Sequence, residues 1–274
     1  MSAERAASRN DWNEKSARVA GFFRQTLAVA EADVRKLRHD PAELLTRMVQ
    51  PALWLLVFGQ VLARTRAVPT GSMGYLDFIA PGILAQSALF ISIFYGISLI
   101  WERDLGIVHK FLVSPASRVA LVLGRAVSSG VRSSSQAIVV YILAYFLGVQ
   151  LRLDAKSIIG VLATVLLGSA IFSTLSLIVA CIVKTRERFM GIGQVLTMPL
   201  FFASNAIYPL SLMPPWLHAI SSFNPLSYQV DALRDFMIKG GESAFGLGTD
   251  FAVQLIILVA LLTIATKIYP TIIR

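Results

Sequence analysis

Charge is scarce in this sequence. Asp, Glu, Lys and Arg make up 15% of its 274 residues, and mean hydropathy is +0.67. A soluble domain carries about 25% charged residues, so the chain has too little polar surface to cover a core in water. It has one cysteine, Cys181, inside an apolar run. That excludes an internal disulfide, and with no Cys or His nearby it makes no metal site; it reads as small apolar filler. No glycine-rich phosphate loop ending in Gly-Lys-Ser or Gly-Lys-Thr occurs, so the chain binds no nucleotide in the usual way, and it is expected to carry no cofactor and no metal of its own. There is no His-Glu-x-x-His and no Gly-x-Ser-x-Gly elbow, and no catalytic residue is nominated. His39, His109 and His218 fall in separate segments and read as polar surface or interface residues. Carboxylates are missing from the middle of the apolar runs; Asp77 and Glu102 mark opposite ends of the second. Ion-driven carriers place Asp or Glu near mid-bilayer, so any energy for transport must come from outside this chain.

What is present is a set of six long apolar runs, at 44–63, 76–101, 119–148, 157–183, 189–208 and 250–272. About 20 apolar residues span the hydrocarbon core as a helix. The fold class read from them is all-α, a polytopic membrane protein with six transmembrane helices over 41–274. The net charge of +9 lies between the runs, which argues for membrane orientation rather than for a nucleic-acid partner. With both termini on the cytoplasmic side, 19 of the 25 Lys and Arg residues face inward. That is the expected multi-pass arrangement in the cell (plasma or inner) membrane. No short apolar core follows a basic start, so the first run is expected to act as a retained anchor.

Residues 1–16 read as a disordered cytoplasmic tail. Over 17–40, Val19, Phe22, Phe23, Leu27, Val34 and Leu37 recur at helical spacing among Arg18, Arg24, Arg35, Lys36 and Arg38. This is an amphipathic helix suited to lie on inner-leaflet lipid, or else an ordinary helix packed on a partner. The third run is longer than a bilayer needs and holds Arg125 and Arg132 seven residues apart, on one face. If 129–148 fill the core, Arg125 projects into the cytoplasm and Arg132 snorkels to the interface. Alternatively both face a central aqueous route beside the serines of 128–135. Between the fifth and sixth runs, Leu210–His218 is broken by two prolines, and Phe223–Tyr228 and Val230–Ile238 follow. Each piece is too short to cross, so they read as re-entrant or interfacial helices.

The segment from Glu102 to Arg118 contains one more amphipathic helix, with Ile107, Val108, Phe111 and Leu112 on one face and Pro115 as its stop. Here the chain resembles the membrane subunits of type-2 ABC transporters, which export drugs, lipids and polysaccharides. Two stretches carry the resemblance. One runs from Glu102 to Arg125, with Gly106, Ser114-Pro115, Ser117-Arg118 and Gly124-Arg125 in the family's order; 104–107 read Asp-Leu-Gly-Ile where relatives more often show Glu-Lys-Gly-Thr. The other is Ile207–His218 followed by Asn224–Tyr228 and Val230–Arg234.

The resemblance implies a half-transporter. Two copies, or one copy and a paralogue, would form a twelve-helix core with ABC ATPase subunits that carry the ATP and Mg. The chain itself is then not an enzyme. Coupling to the ATPase would rest on Glu102, Arg103, Asp104, Gly106, Ile107, His109, Lys110, Phe111, Leu112, Ser114 and Pro115. Arg47, Arg125 and Arg132 are candidates near the inner entrance of a substrate route. Tyr208, Trp216, Phe223 and Tyr228 are candidates for an aromatic outer gate, or serve as interface anchors. The cargo implied is a hydrophobic or amphipathic small molecule or a lipid. A polysaccharide or glycolipid cargo is the alternative, and a membrane transferase or a scaffold stands behind both.

Overall fold

A chain rich in Ile, Leu, Val and Ala has few polar groups beyond its backbone, and a helix satisfies those locally. In a computed structural model, residues 48–71, 73–106, 118–183 and 185–269 are described. Apart from one isolated antiparallel bridge, Leu151 with Ile238, the regular structure among them is entirely helical. The expected tail and amphipathic helix over 1–40, Arg47, and the coupling residues from Ile107 to Pro115 lie outside the described residues.

Helix α1 covers 48–65 and contains a π-helical stretch, Trp54–Gly59. The long helices follow as α2 (Tyr75–Asp104), α3 (Arg118–Phe146), α4 (Ala155–Ile182) and α5 (Arg186–Phe202). Two short helices, α6 (Pro215–Phe223) and α7 (Pro225–Met237), precede α8 (Leu247–Ile268). Helices α2, α4 and α8 are each long and apolar enough to cross a membrane; at 1.5 Å per residue they reach about 45, 42 and 33 Å. Helix α3 is of similar length, but its arginines and serines dilute its apolar character.

Local chemistry explains the ends. Asp154 caps α4, accepting from the Ser157 N–H at 3.0 Å and its hydroxyl at 2.8 Å. Thr185 caps α5, and Asn224 caps α7 with Pro225 in the first turn. Gly106, at φ +70°, closes α2 in the left-handed conformation. The fifth apolar run, expected to be helical to 208, is helical only to Phe202. Asn224 Nδ2 takes the Leu200 and Ala203 carbonyls at 2.7 and 3.2 Å, which supplies the donors the helix no longer provides.

The core is centred on α2 and α4. It joins Ile79, Ile83, Leu84 and Leu89 of α2 to Val161, Val165 and Phe172 of α4, with Val140 of α3 and Val230 and Leu233 of α7. Hydroxyls in this interior mostly donate to their own helix one turn back, as Ser87 does to Ile83 and Thr164 to Gly160. The outward faces of α5 and α8 are apolar, with Val195, Ile256 and Val259 all more than half exposed. That is a surface suited to lipid or to another helix.

The tightest backbone approach is at Gly82, where a Cβ would lie 2.4 Å from the Ala206 carbonyl oxygen and 2.8 Å from its Cα. Backbone on both sides leaves no side chain to give way. Gly82→Ala is expected to destabilise the fold by about 1–3 kcal/mol. Gly191→Ala, with nothing within 4 Å, should be neutral or slightly stabilising. Thermal melts of the two variants in one detergent compare them directly.

Candidate functional site

Two polar assemblies stand at opposite ends of the long helices. At the first, where α2 and α4 end and α3 and α5 begin, Arg125 of α3 is 8% exposed and pairs with Glu102 of α2. It therefore does not project away from the bundle. Burial turns it inward, because the carboxylate that neutralises it sits on the neighbouring helix. The fully buried Tyr269, just past α8, lies within electrostatic reach of the same guanidinium.

Beside this pair is a more exposed one. Arg186, in the first turn of α5, donates to Asp104 at 2.8 Å and stacks over the Trp101 ring at 3.5 Å. Arg103 donates to the Val183 carbonyl and to Asp104. A surface ion pair alone contributes less than about 1 kcal/mol, but stacking on the indole adds to it. Glu102, Arg103, Asp104 and Gly106, nominated from sequence, thus form an ion-paired stem at the end of α2. Arg132 sits apart, with its guanidinium 5.5 Å from the Tyr95 ring centre.

At the opposite end, a groove of about 660 Å³ runs between α5 and α6. Its walls include Val195, Leu200, Phe202, Tyr208, Trp216 and Phe223. Three of the four nominated aromatics are thus brought together, and Trp216 and Phe223 are 65% and 86% exposed. Tyr208 is held in place by its hydroxyl, which donates to the Phe202 carbonyl. Tyr228 does not join them. It packs on Phe245 with ring centres 4.8 Å apart and donates to the Ser222 carbonyl at 2.6 Å.

Behind the groove lies a buried network that the sequence reading missed. Asp231, fully buried, accepts from the Phe245 N–H and the Ser243 hydroxyl, both at 2.9 Å, and from Asn205 at 3.4 Å. Arg234 stands 3.6 Å from the same carboxylate, over the Phe78 ring, and donates to the Asn205 carbonyl. The Ser243 hydroxyl is also 2.7 Å from Asp250 at the start of α8. It has one proton for two carboxyl groups, so the second contact needs a hydrogen from the acid itself. The spacing of Asp231 and Arg234 on one helix face was the signal that could have flagged part of this network; Ser243 and Asp250 carried none.

The sequence pattern of the ABC-2 type transporter family matches residues 24–238. The chain belongs to the ABC-2 type transporter membrane family. A putative transport permease, ycf38, of Cyanophora paradoxa is 32% identical over 225 residues, covering 81% of this chain and 77% of that one. The probable doxorubicin resistance ABC transporter permease protein DrrC of Mycobacterium tuberculosis is 26% identical over 238 residues, 86% of this chain and 84% of its own length. The daunorubicin resistance ABC transporter permease protein DrrB1 of Streptomyces coeruleorubidus is 23% identical over 240 residues, 82% and 84% of the two chains. The stretch matched to the ABC-2 family includes the Glu102–Arg125 pair, the groove and Asp231; Asp250 and Tyr269 of this permease lie past its end.

Two outcomes follow for the permease. Arg125→Ala leaves Glu102 half-buried without its cation and should lower stability by about 3 kcal/mol, while Glu102→Gln, which keeps an acceptor, should be milder; melting with a thiol- or dye-based readout separates them. Asp231→Asn sets its NH2 either against the Phe245 N–H or, flipped, against Arg234, and removes the charge that faces Arg234; it should be the more damaging acid-to-amide change, by about 2–4 kcal/mol. Asp250→Asn keeps a hydrogen-bearing group beside Ser243 and should stay within about 1 kcal/mol of the parent, as judged by folded yield and melting temperature.

Proposed function

We propose that this permease is the membrane half of an ATP-driven exporter whose cargo is a hydrophobic or amphipathic small molecule or a lipid. The observation that carries the reading is the groove between α5 and α6, where Phe202, Tyr208, Trp216 and Phe223 stand around a largely aliphatic trough. Apolar walls of that kind gain free energy by taking apolar surface out of water. They offer little to a polysaccharide, which asks for many hydrogen-bonding groups. The drug-resistance names of DrrB1 and DrrC point to the same class of cargo.

In this reading six helices cross the membrane with both termini on the cytoplasmic side, and the α6–α7 pair is re-entrant on the outer side. ATP and Mg²⁺ are bound by a separate ABC ATPase subunit, and a second copy or a paralogue completes the core. Residues 102–115 meet the ATPase. Its closure would push on the stem formed by Glu102, Arg103 and Asp104, and the ion pairs there would pass the motion to α3 and α5. Arg125 and Arg132 would then stand toward the inner entrance, for which Arg47 is also a candidate, and the three groove aromatics toward the exit.

The test starts from the chain purified from its own membrane in mild detergent. A co-purifying ATPase with orthovanadate-sensitive hydrolysis is expected, and Phe111→Asp with Leu112→Asp should abolish its association. In vesicles, Trp216→Ala combined with Phe223→Ala should lower export of an amphipathic dye about tenfold or more while ATPase association is unchanged. A chain that purifies without any ATPase would return the scaffold and transferase readings to the front. Unchanged dye export in the double variant would remove the groove from the route.

A further inference from the structure

One serine in the segment between α7 and α8 meets three acids. The Ser243 N–H donates to Asp235 at 3.3 Å, and the Ser243 hydroxyl lies 2.9 Å from Asp231 and 2.7 Å from Asp250. Two guanidinium groups stand against these carboxyl groups: Arg234, 3.6 Å from Asp231, and Arg152, 4.0 Å from Asp235. With all three acids ionised the cluster is one positive charge short of neutrality. Asp231 and Asp250 are fully buried, and an uncompensated charge in such a place is strongly disfavoured.

Hydrogen is also what the neighbouring atoms lack. Asp250 Oδ1 and Gln254 Oε1, one turn apart on the buried side of α8, have no hydrogen-bond partner within the protein, and both are acceptors. The Gln254 amide donates to the Asp250 main-chain carbonyl at 3.1 Å, which keeps the two side chains together. Among the described residues no group of acids, histidines or cysteines is arranged to hold a metal ion, so a proton is the cation that fits. The other charged groups around α8 do not supply one. Lys239 and Glu242 of the connecting segment are exposed, as are Asp154 and Lys156 where α4 starts. Helix α3 brings Arg125 to the far end of α8, beside Tyr269. Tyr228 of α7 has its hydroxyl committed to the Ser222 carbonyl.

We infer that one proton, resident on Asp250 and linked through Ser243 to Asp231, latches residues 239–246 onto α7 and α8, and that its loss opens the latch. With the proton in place, Asp250 Oδ2 donates to Ser243 Oγ, which donates to Asp231 Oδ2. When the Asp250 O–H bond gives its proton to water at the half-buried Ser243, two carboxylates face one hydroxyl hydrogen. One of the two short contacts then sets lone pairs against each other, and it must lengthen. Gly240 and Gly246, at φ +76° and +84°, bracket the segment and let it turn. The segment holds more than itself: the Phe245 N–H donates to Asp231 and its ring packs on Tyr228, which is tied to the end of α6. The site requires neither an ATPase nor a cargo. On the proposed orientation it would read the pH outside the cell.

Infrared difference spectroscopy and amide hydrogen exchange on the full-length protein in nanodiscs, from acid to alkaline pH, give the test. At neutral pH the parent should show a protonated-carboxyl C=O band that Asp250→Asn lacks and that fades as pH rises. Over the same titration the protection of the Phe245 N–H, corrected for its intrinsic exchange rate, should drop about tenfold, the loss of one buried hydrogen bond. Asp250→Asn keeps an N–H beside Ser243 and should stay protected at every pH. Ser243→Ala, which removes the shared hydroxyl, should be poorly protected throughout. An absent acid band in the parent, or a pH dependence that persists in Asp250→Asn, would overturn the inference. So would protection that follows sodium concentration at fixed pH, since the missing charge would then be a metal ion.

Discussion

A polar group in hydrocarbon has to find its partner within the protein, and that constraint arranges everything else in this permease. Backbone groups meet it by forming helices, and hydroxyls such as those of Ser87 and Thr164 meet it by bonding one turn back. Guanidinium and carboxylate groups cannot be satisfied so cheaply. They are gathered where helices begin and end, and there they become the cross-links between helices. Arg125 ties α3 to α2 through Glu102, and Arg186 ties α5 to α2 through Asp104 and Trp101. The same residues that orient a chain by their sign therefore also fix which helix ends stay together.

At the other end the constraint is met by short helices. Chain leaving α5 must return to the bundle before α8, and each turn on the way exposes carbonyls and N–H groups. Asn224 answers two of these needs at once. Its oxygen caps α7 through the Leu226 N–H, and its amide takes the last carbonyls of α5. That double contact ties the junction of α6 and α7 to the end of α5, and the groove lies between the two helices so joined. Asp231 does similar service deeper in, receiving donors from Asn205 and from the loop that carries Ser243 and Phe245. The groove aromatics are exposed because these buried groups hold the frame behind them.

Much of this was legible from residue order alone, for reasons that are local. Apolar runs announce helices, Pro214-Pro215 and Asn224-Pro225 announce the starts of α6 and α7, and Gly106 announces the end of α2. Direction was not legible. Tyr208, Trp216, Phe223 and Tyr228 look alike as interfacial aromatics, yet α7 begins at Pro225 and carries Tyr228 round to Phe245 on a different face. Arg186 was visible only as one more orienting charge, since its partner is more than eighty residues away. The acid pair across Ser243 was hidden for the same reason: Asp231 and Asp250 belong to different helices, and the loop that unites them has no pattern of its own.

The placement of α5 bears on how the two ends would communicate. Among the described helices it is the one that starts in the ion pairs and finishes in the wall of the α5–α6 groove. It packs on α2 along the face that buries Phe189, Gly193, Thr197 and Phe201, and turns an apolar face outward, so a displacement would move it as one rod along that seam. Seventeen residues of helix make a rod of about 26 Å, stiff enough to carry a displacement of Arg186 toward Phe202. Pro199 removes one hydrogen bond near the far end and gives the last turn freedom to tilt. On the proposed reading, a push on the stem at Asp104 would reach the groove through this one helix, and it would widen or narrow the trough by tilting the segment that carries Phe202 and Tyr208. The coupling would then need no deformation of the α2–α4 core, whose close packing resists it.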